Sequence, residues 1–278
     1  MKGMCGWLGS EKDPALAKEV THDMVNALAG EKCDSTHALF GPSDGLAAWS
    51  KIDPASSYED GLFKVAIVGN VYWGNDELNQ LTREKNSATA VAKAYIKSGK
   101  AFLEDMHGAF CVAIIDAQNK IAITAIDRLG IYSICYAAPP NHFIFATSTN
   151  GVVAHPNMER VIDPQAIFNY LYFHSVPAPG SIYKNVRKLL PGQYALFQNG
   201  KVETNFYWQL KYADSGLTQF AQRRDDLKNL LQTAVKRSVT DEQVGAFLSG
   251  GTDSSTISGV LTRSFNKPAD TFSIGFSA

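Results

Sequence analysis

Two kinds of hydrophobic pattern follow one another along the chain. As far as about residue 207, short apolar runs of strand length predominate, among them 64–68, 108–115 and 121–126. Because these runs are apolar almost throughout, they predict strands that are buried on both faces, as in a sheet that lies between other layers. From Leu217 to Val235, apolar residues instead recur at steps of three and four, which predicts an amphipathic helix of about 20 residues.

Turn and cap residues mark the boundaries of several elements in the first part of the chain. Residues 116–120 suit a turn between two of the strand runs, and Asn199-Gly200 suits the tight type I′ turn of a second hairpin. Asp163 and Pro164 can begin a helix, as its cap and its first-turn residue. Helical patterns cover the segments 14–29, 88–98 and 164–173.

The end of the chain has the pattern of a parallel α/β unit. An apolar strand at 244–248 leads into a Gly-rich turn, a helix that begins near Ser254 and a further strand at 271–275. This β-loop-α-β order is the start of a parallel α/β domain. Since two strands cannot bury both faces of a parallel sheet, we expect this domain to be incomplete, either because the sequence is a fragment or because a partner supplies the rest.

Composition narrows the classes of function. The 278 residues allow one large domain or two ordinary ones, and the 27 acidic and 26 basic residues nearly cancel, so we expect no nucleic-acid partner. The longest apolar run, 109–115, is far shorter than the roughly 20 residues that cross a bilayer, so we expect no membrane partner. The N-terminus has no secretion signal and the four cysteines have no disulfide or metal spacing, which favours a cytoplasmic location.

The Gly-rich turn combines several devices that hold phosphate. Gly250 and Gly251 let backbone N–H groups approach an oxyanion, and the helix that follows presents its N-terminal donors to the same point. Serine hydroxyls add donors, whereas Asp253 suits a helix cap or a magnesium contact. The turn lacks the Lys of the common phosphate-binding loop of kinases and GTPases. Because similar capped turns also occur without ligands, the spacing alone leaves both interpretations open.

Ser249–Ser254 matches the S-G-G-x-D-S pyrophosphate loop of ATP-dependent adenylating ligases. Together with 246–248 before it and 271–276 after it, this loop resembles that of glutamine-dependent asparagine synthetases. Further segments fall in that family's order: 106–110, 127–130, 162–166, 176–179, 182–189, 191–194 and 206–208. The resemblance therefore covers nearly the whole chain.

The resemblance implies two domains. Residues 1–210 would form a glutamine amidotransferase domain, an α+β four-layer αββα sandwich of the N-terminal-nucleophile type with a degenerate glutamine pocket. Residues 216–278 would be the truncated N-terminal part of a parallel α/β ATP-pyrophosphatase domain. The sequence leaves open whether this chain forms a homodimer through its N-terminal layer, as members of that family often do.

In this family ATP, with Mg²⁺, adenylates a carboxylate, which is aspartate in the family itself. Pyrophosphate leaves, and ammonia that is derived from glutamine attacks the acyl-adenylate. Leu248 and Ile274 would touch the nucleotide through their backbone, and Asp253 would contact magnesium. The residues implied in ATP binding are Leu248, Ser249, Gly250, Gly251, Asp253, Ser254, Ser255 and Ile274.

The family begins Met-Cys-Gly, and its cysteine is the nucleophile that attacks glutamine once Met is removed. The matching residue is Cys5, and its free α-amino group would serve as the base. While residues 1–4 remain, Cys5 has no free amine; translation that starts at Met4, or removal of four residues, would restore it. The alternative is a buried structural cysteine, since free Cys is among the most buried residue types.

The glutamine pocket of the family is depleted here. The Arg that pairs with the glutamine carboxylate has no counterpart in 46–53, where Lys51 lacks the planar fork of Arg. In the oxyanion segment Gly69 keeps its backbone donor, but Val68 replaces an Asn, a loss that typically costs about 100–1000-fold in rate. Two further elements have changed, at 40–43 and 87–90. We therefore expect glutamine hydrolysis to be weak or absent.

Three functions remain open from the sequence. One is a complete asparagine synthetase-type amidotransferase. Another is an ATP-dependent amide ligase with an inactive glutaminase domain, as in β-lactam synthetases and lasso-peptide cyclases, which takes its amine from ammonia or from the substrate. The third is a truncated, non-catalytic remnant. We expect the asparagine synthetase chemistry for the family and no complete ligase turnover by these 278 residues alone.

Overall fold

The computed structural model describes residues 2–10, 13–29, 37–51, 54–212, 219–239, 244–265 and 267–275. The chain divides into two compact units, Met1–Leu210 and Lys211–Ala278. Each unit has its own secondary structure and is considered separately below.

The first unit contains two antiparallel six-stranded sheets. Its strands are β1 (Lys2–Leu8), β2 (His37–Gly41), β3 (Asp44–Ser50), β4 (Ala55–Glu59), β5 (Lys64–Trp73), β6 (Met106–Asp116), β7 (Ile121–Ile126), β8 (Cys135–Ala137), β9 (Phe143–Ala146), β10 (Arg187–Lys188), β11 (Gln193–Gln198) and β12 (Lys201–Phe206). The first sheet has the order β10-β8-β9-β1-β3-β2, and the second has the order β12-β11-β7-β6-β5-β4. Asp44 Oδ2 of the first sheet lies 2.8 Å from Lys64 Nζ of the second, so a buried ion pair joins them.

Helices cover the outer faces of the two sheets. They are α1 (Pro14–Ala29), α2 (Asp76–Glu84), α3 (Ser87–Ser98) and α4 (Thr149–Val152), with a 3₁₀ helix at Gly99–Asp105. A fifth helix, α5 (Pro164–Phe173), leaves most of its large apolar side chains exposed. One buried apolar cluster lies between the sheets, one joins α1 and α4 to the first sheet, and one joins α2 and α3 to the second. This arrangement is the four-layer αββα sandwich that the sequence predicts.

Local chemistry explains where several of these elements begin and turn. The β6–β7 and β11–β12 hairpins are confirmed, and Asn199 and Gly200 have the positive φ angles of 53° and 74° that the second turn requires. The Asp163 carboxylate accepts a hydrogen bond from Gln165 N at 3.0 Å and caps α5, as predicted.

The second unit contains α6 (Phe220–Ser238), β13 (Gly245–Phe247), α7 (Thr252–Phe265) and β14 (Asp270–Phe272). β13 and β14 are parallel, which confirms the predicted β-loop-α-β unit. The start of the predicted helix at Leu217 lies outside the described residues. α7 begins at Thr252, two residues before the predicted start, so Asp253 lies in its first turn and does not cap it.

The two units differ in how many apolar side chains they bury. Among the described residues of the second unit, Val235 and Leu261 are the buried apolar side chains, whereas the first unit contains more than fifty positions in its three cores. Within the described ranges, no helix is both long enough and apolar enough to span a membrane.

Candidate functional site

The Gly-rich loop lies at the carboxyl end of β13. Leu248 N donates to Phe272 O at 2.8 Å and Ser273 Oγ donates to Leu248 O at 2.6 Å, so the chain just after β13 is bonded to the chain at the end of β14. Leu248 and Ile274 therefore lie at the same edge of the small sheet. Open parallel sheets bind their ligands at this edge, outside the carboxyl ends of their strands.

Hydrogen bonds within the loop fix its shape. Ser249 N donates to Ser254 Oγ at 3.2 Å, and Ser254 Oγ donates to Gly251 O at 3.2 Å. Gly250 has φ +85°, and an added Cβ would meet no atom within 4 Å there. The loop is thus held by its own polar groups, while the space in front of Gly250 is open to a ligand.

The first turn of α7 supplies the electrostatics of the loop. Its N-terminal N–H groups have no partner within a helix, and the positive end of the helix dipole favours an anion there. Ser255 follows on the same turn, and its N–H donates to Gly251 O at 3.1 Å. Asp253 is exposed in this turn, and its contact with magnesium stays a prediction. Among the described residues, no group of three or more His, Cys, Asp or Glu side chains could hold a metal ion by itself.

Cys5 is located in the interior of β1. It pairs with Ala47 of β3 and with Ala146 of β9, and its side chain is fully buried. Alternation along the strand places Met4 in the cluster between the sheets and Cys5 in the cluster beneath α1. Burial raises the pKa of the Cys5 thiol far above its usual range, so the reactive thiolate is strongly disfavoured.

The residues before Cys5 are integrated into the first sheet. Met4 N donates to Thr147 Oγ1 at 3.2 Å, and Thr147 N donates to Met4 O at 2.8 Å. A Cβ at Gly3 would lie 2.5 Å from the Trp49 ring. In this arrangement the backbone nitrogen of Cys5 is a strand amide, and it cannot act as the base that the family mechanism needs.

Gly69 lies in β5, with φ +118°. Its N–H donates to Pro54 O at 2.8 Å, so the backbone donor that the sequence assigns to an oxyanion is engaged within the protein here. Val68 is fully buried in the cluster between the sheets. Cys5 and Gly69 thus lie in different sheets, and the Cys5 side chain faces away from the sheet that holds Gly69. The catalytic and oxyanion roles of these two residues stay predictions.

One polar centre near the start of β1 was missed in the sequence analysis. The fully buried Asp127 carboxylate accepts hydrogen bonds from the N–H groups of Leu129, Ile131 and Tyr132 at 3.0–3.1 Å. This turn holds the Tyr132 ring 4.3 Å from Lys2 Nζ. The signal was the Asp-x-x-Gly spacing of 127–130, because an Asp that begins a turn binds the backbone N–H groups that follow it.

Comparison with known families gives two matches. The family model of the glutamine amidotransferase domain matches residues 1–208, and that of asparagine synthase matches residues 226–278. The chain therefore belongs to the glutamine amidotransferase family. It is asparagine synthetase-like, because a partial synthase segment follows its amidotransferase domain.

Individual relatives agree with this assignment. The chain is 34% identical over 208 residues to putative asparagine synthetase [glutamine-hydrolyzing] 2 of Methanocaldococcus jannaschii. This alignment covers 72% of this chain and 40% of the relative. It is 25% identical over 300 residues to asparagine synthetase [glutamine-hydrolyzing] 3 of Bacillus subtilis, which covers 99% of this chain and 48% of the relative. The chain thus spans less than half of the length of either relative.

One solved structure is similar at a lower level. Glutamine phosphoribosylpyrophosphate amidotransferase from B. subtilis superposes with a TM-score of 0.48 and 13% identity, over 97% of this chain and 65% of that one. At this score the likeness supports no statement about function.

Proposed function

We propose that this chain is part of an ATP-dependent amide ligase of the asparagine synthetase type, in which residues 248–255 hold the nucleotide phosphates. The observation that carries the proposal is the loop between β13 and α7. This loop lies at the carboxyl edge of a parallel sheet and leads into the N-terminus of a helix. Ser249 is hydrogen-bonded to Ser254 within the loop, and there is open space beside Gly250. The relatives named asparagine synthetases support aspartate as the carboxylate that is activated.

The proposed reaction has two steps. An oxygen of the substrate carboxylate attacks the α-phosphorus of ATP, and the bond to pyrophosphate breaks. Ammonia then attacks the acyl carbon of the adenylate, loses a proton, and AMP leaves with the carboxylate oxygen. In the first step the loop would stabilise the charge on the departing pyrophosphate, with Mg²⁺ neutralising part of it beside Asp253.

We propose that ammonia, and not glutamine, supplies the nitrogen while residues 2–4 precede Cys5. Three observations support this: Cys5 is buried beneath α1, its nitrogen is a strand amide, and the Gly69 N–H is bonded to Pro54. The amidotransferase domain then acts as a scaffold for the synthase segment.

Calorimetry with ATP and Mg²⁺ tests the nucleotide proposal. Gly250→Val would force a branched side chain into a conformation with positive φ, and we expect it to abolish binding. Gly259→Ala is the matched control: Gly259 lies within α7, an added Cβ would meet no atom within 4 Å, and binding should be unchanged.

A chimera tests the same proposal in case the second unit of this chain does not stay folded without the rest of a synthase domain. It joins residues 1–275 to the part of the B. subtilis relative that follows the matched region. Aspartate-dependent release of pyrophosphate by the chimera, lost in Gly250→Val, supports the proposal. A chimera that folds and binds no ATP would refute it.

A further inference from the structure

A cavity of about 640 Å³ lies at the β8–β10 end of the first sheet. Three segments form its walls: Tyr136 and the connection that follows it to 140, residues 157–159, and residues 184–187. Neither Cys5, Gly69 nor the loop at 248–255 lines it. It is therefore separate from both sites described above, and its size falls in the range of about 300–1,000 Å³ that is typical of small-molecule sites.

One wall of the cavity is cationic. Lys184 and Arg187 line it together with Asn185. In the part of the chain that the structure describes, neither cation forms an ion pair with an acid. Arg187 pairs with Tyr136 across β10 and β8, and its charge acts against the rise in the Tyr136 pKa that burial causes, so the guanidinium lies near this ring.

Glu159 supplies a negative charge from a different wall. The segment that carries it is anchored: Asn157 N donates to His155 Nδ1 at 3.2 Å, and the Asn157 side-chain amide lies 2.9 Å from His142 Nε2. The cationic wall is anchored as well, since Lys184 N donates to Val161 O at 3.0 Å. Because Val161 follows Glu159 by two residues, this hydrogen bond joins the two segments that carry the opposite charges.

Part of the lining is apolar. Ala138, Pro139 and Met158 line this part of the cavity. A ligand that satisfies all three walls carries a carboxylate, an ammonium group and an aliphatic body. Arg and Lys bind carboxylates through charge-assisted hydrogen bonds, and a Glu carboxylate accepts them from an ammonium group.

We propose that this cavity binds an aliphatic α-amino acid as a zwitterion. Arg187 and Lys184 hold its carboxylate, Glu159 holds its ammonium group, and Pro139 and Met158 contact its side chain. The proposal does not depend on the nucleotide loop or on Cys5.

Calorimetry with L-leucine as the probe tests this proposal on the full chain. Two analogues of leucine serve as ligand controls: 4-methylpentanoate lacks the ammonium group, and 3-methylbutylamine lacks the carboxylate. We expect saturable binding of leucine. Each analogue should bind about 10- to 100-fold more weakly, because it loses a charge-assisted contact.

Variants assign the two contacts. Arg187→Gln should weaken leucine binding by about 10- to 100-fold and leave the affinity for 3-methylbutylamine unchanged. Glu159→Gln should also weaken leucine binding but leave the affinity for 4-methylpentanoate unchanged. Arg83→Gln, on the exposed last turn of α2, is the matched control and should change neither. No binding of leucine at millimolar concentration, or equal binding of leucine and 4-methylpentanoate, would overturn the proposal.

Discussion

The buried Asp127 carboxylate organises the turn between β7 and β8. Three backbone N–H groups converge on it, and its own carbonyl accepts hydrogen bonds from Gly130 N and Gly192 N at 3.2 and 3.0 Å. The Asp127 side chain therefore fixes the turn as far as Tyr132, and its backbone carbonyl fixes the approach of Gly192 just before β11.

Asp127→Asn should lower the free energy of unfolding by about 3 kcal/mol, because a neutral amide with one oxygen replaces a charged acceptor of three hydrogen bonds. Urea denaturation measures the change. Asp116→Asn is the matched control: Asp116 also accepts a backbone hydrogen bond, at 2.9 Å from Asn119 N, but in an exposed turn. Its loss should be below about 1 kcal/mol; equal losses in the two variants would contradict the prediction.

The three described cysteines give the protein a pH dependence. Burial raises the pKa of the Cys5 and Cys111 thiols strongly and that of Cys135 to about 11, from an ordinary value of 9.0. Above pH 9 the unfolded chain loses these protons while the folded chain keeps them. The thiols therefore do not lower the free energy of unfolding below pH 9, and they lower it progressively as the pH rises above 9.

Between pH 9 and 10, below the ordinary pKa of 10.0 for tyrosine, we expect the free energy of unfolding to fall with pH. Each buried thiol contributes up to about 1.4 kcal/mol per pH unit. Replacing Cys5, Cys111 and Cys135 by Ala should flatten the slope, whatever the loss at neutral pH. Chemical denaturation across this range, with the slopes compared, makes the measurement; an unchanged slope counts against the prediction.

At the scale of elements, Gly69 of β5 and Gly108 of β6 lie near each other in the ladder, where Gly69 pairs with Phe110 and Gly108 pairs with Val71. Gly69 and Gly108 have φ angles of +118° and +102°, and a Cβ at either one would approach a carbonyl oxygen of the partner strand to 2.1–2.2 Å. Only glycine permits this close approach of the two backbones at these positions.

Gly69→Ala should destabilise the protein by about 3 kcal/mol or more, the sum of a left-handed backbone cost of about 1–2 kcal/mol and a backbone overlap. Gly61→Ala isolates the first part, because Gly61 has φ +85° but an added Cβ would meet no atom within 4 Å. Its cost should stay near about 1 kcal/mol. Thermal or urea unfolding distinguishes the two, and similar costs would disprove the overlap.

The sequence predicts those elements whose signals are local. The hairpin turns and the caps depend on residues within a few positions, and both hairpins and α5 were confirmed. Helix α2 was missed although its signals were present, since Asn75 caps it and two acids follow.

The orientation of Cys5 could not be predicted in this way. It depends on the register of β1 against β3 and β9, strands that are distant in sequence, and a shift of one residue would turn the side chain to the other face. The Gly69–Pro54 hydrogen bond likewise depends on how the chain before β4 lies against β5. The position of the Gly-rich loop between β13 and α7 was predictable because its signals are contained in one short segment, and its binding of phosphate stays a prediction.

At the scale of the whole molecule, the two units differ in the number of apolar side chains that their described residues bury. A small unit needs a sufficient apolar core, and the second unit buries few apolar side chains among its described residues. Several of its large apolar side chains are more than half exposed, among them Leu230, Phe247 and Ile274.

We expect amide hydrogen exchange in α6 and α7 to be at least about 100-fold faster than in β6 and β7, because opening of the second unit exposes little additional apolar surface. Mass spectrometry of exchanged peptides makes this comparison within one sample. The chimera with the synthase part of the B. subtilis relative should slow exchange in α7 and leave β6 unchanged. Equal protection of both units in the original chain would contradict the prediction.

The edge strands of the two large sheets influence how copies of the protein associate. β12 forms one margin of the second sheet and exposes Lys201 and Glu203, while the first sheet ends at β10, which has only two residues. Short or charged border strands are poor templates for added strands. Strand addition at these two edges is therefore disfavoured, and self-association on partial unfolding should begin instead through the exposed aromatic rings of Phe247 in β13 and Phe272 in β14.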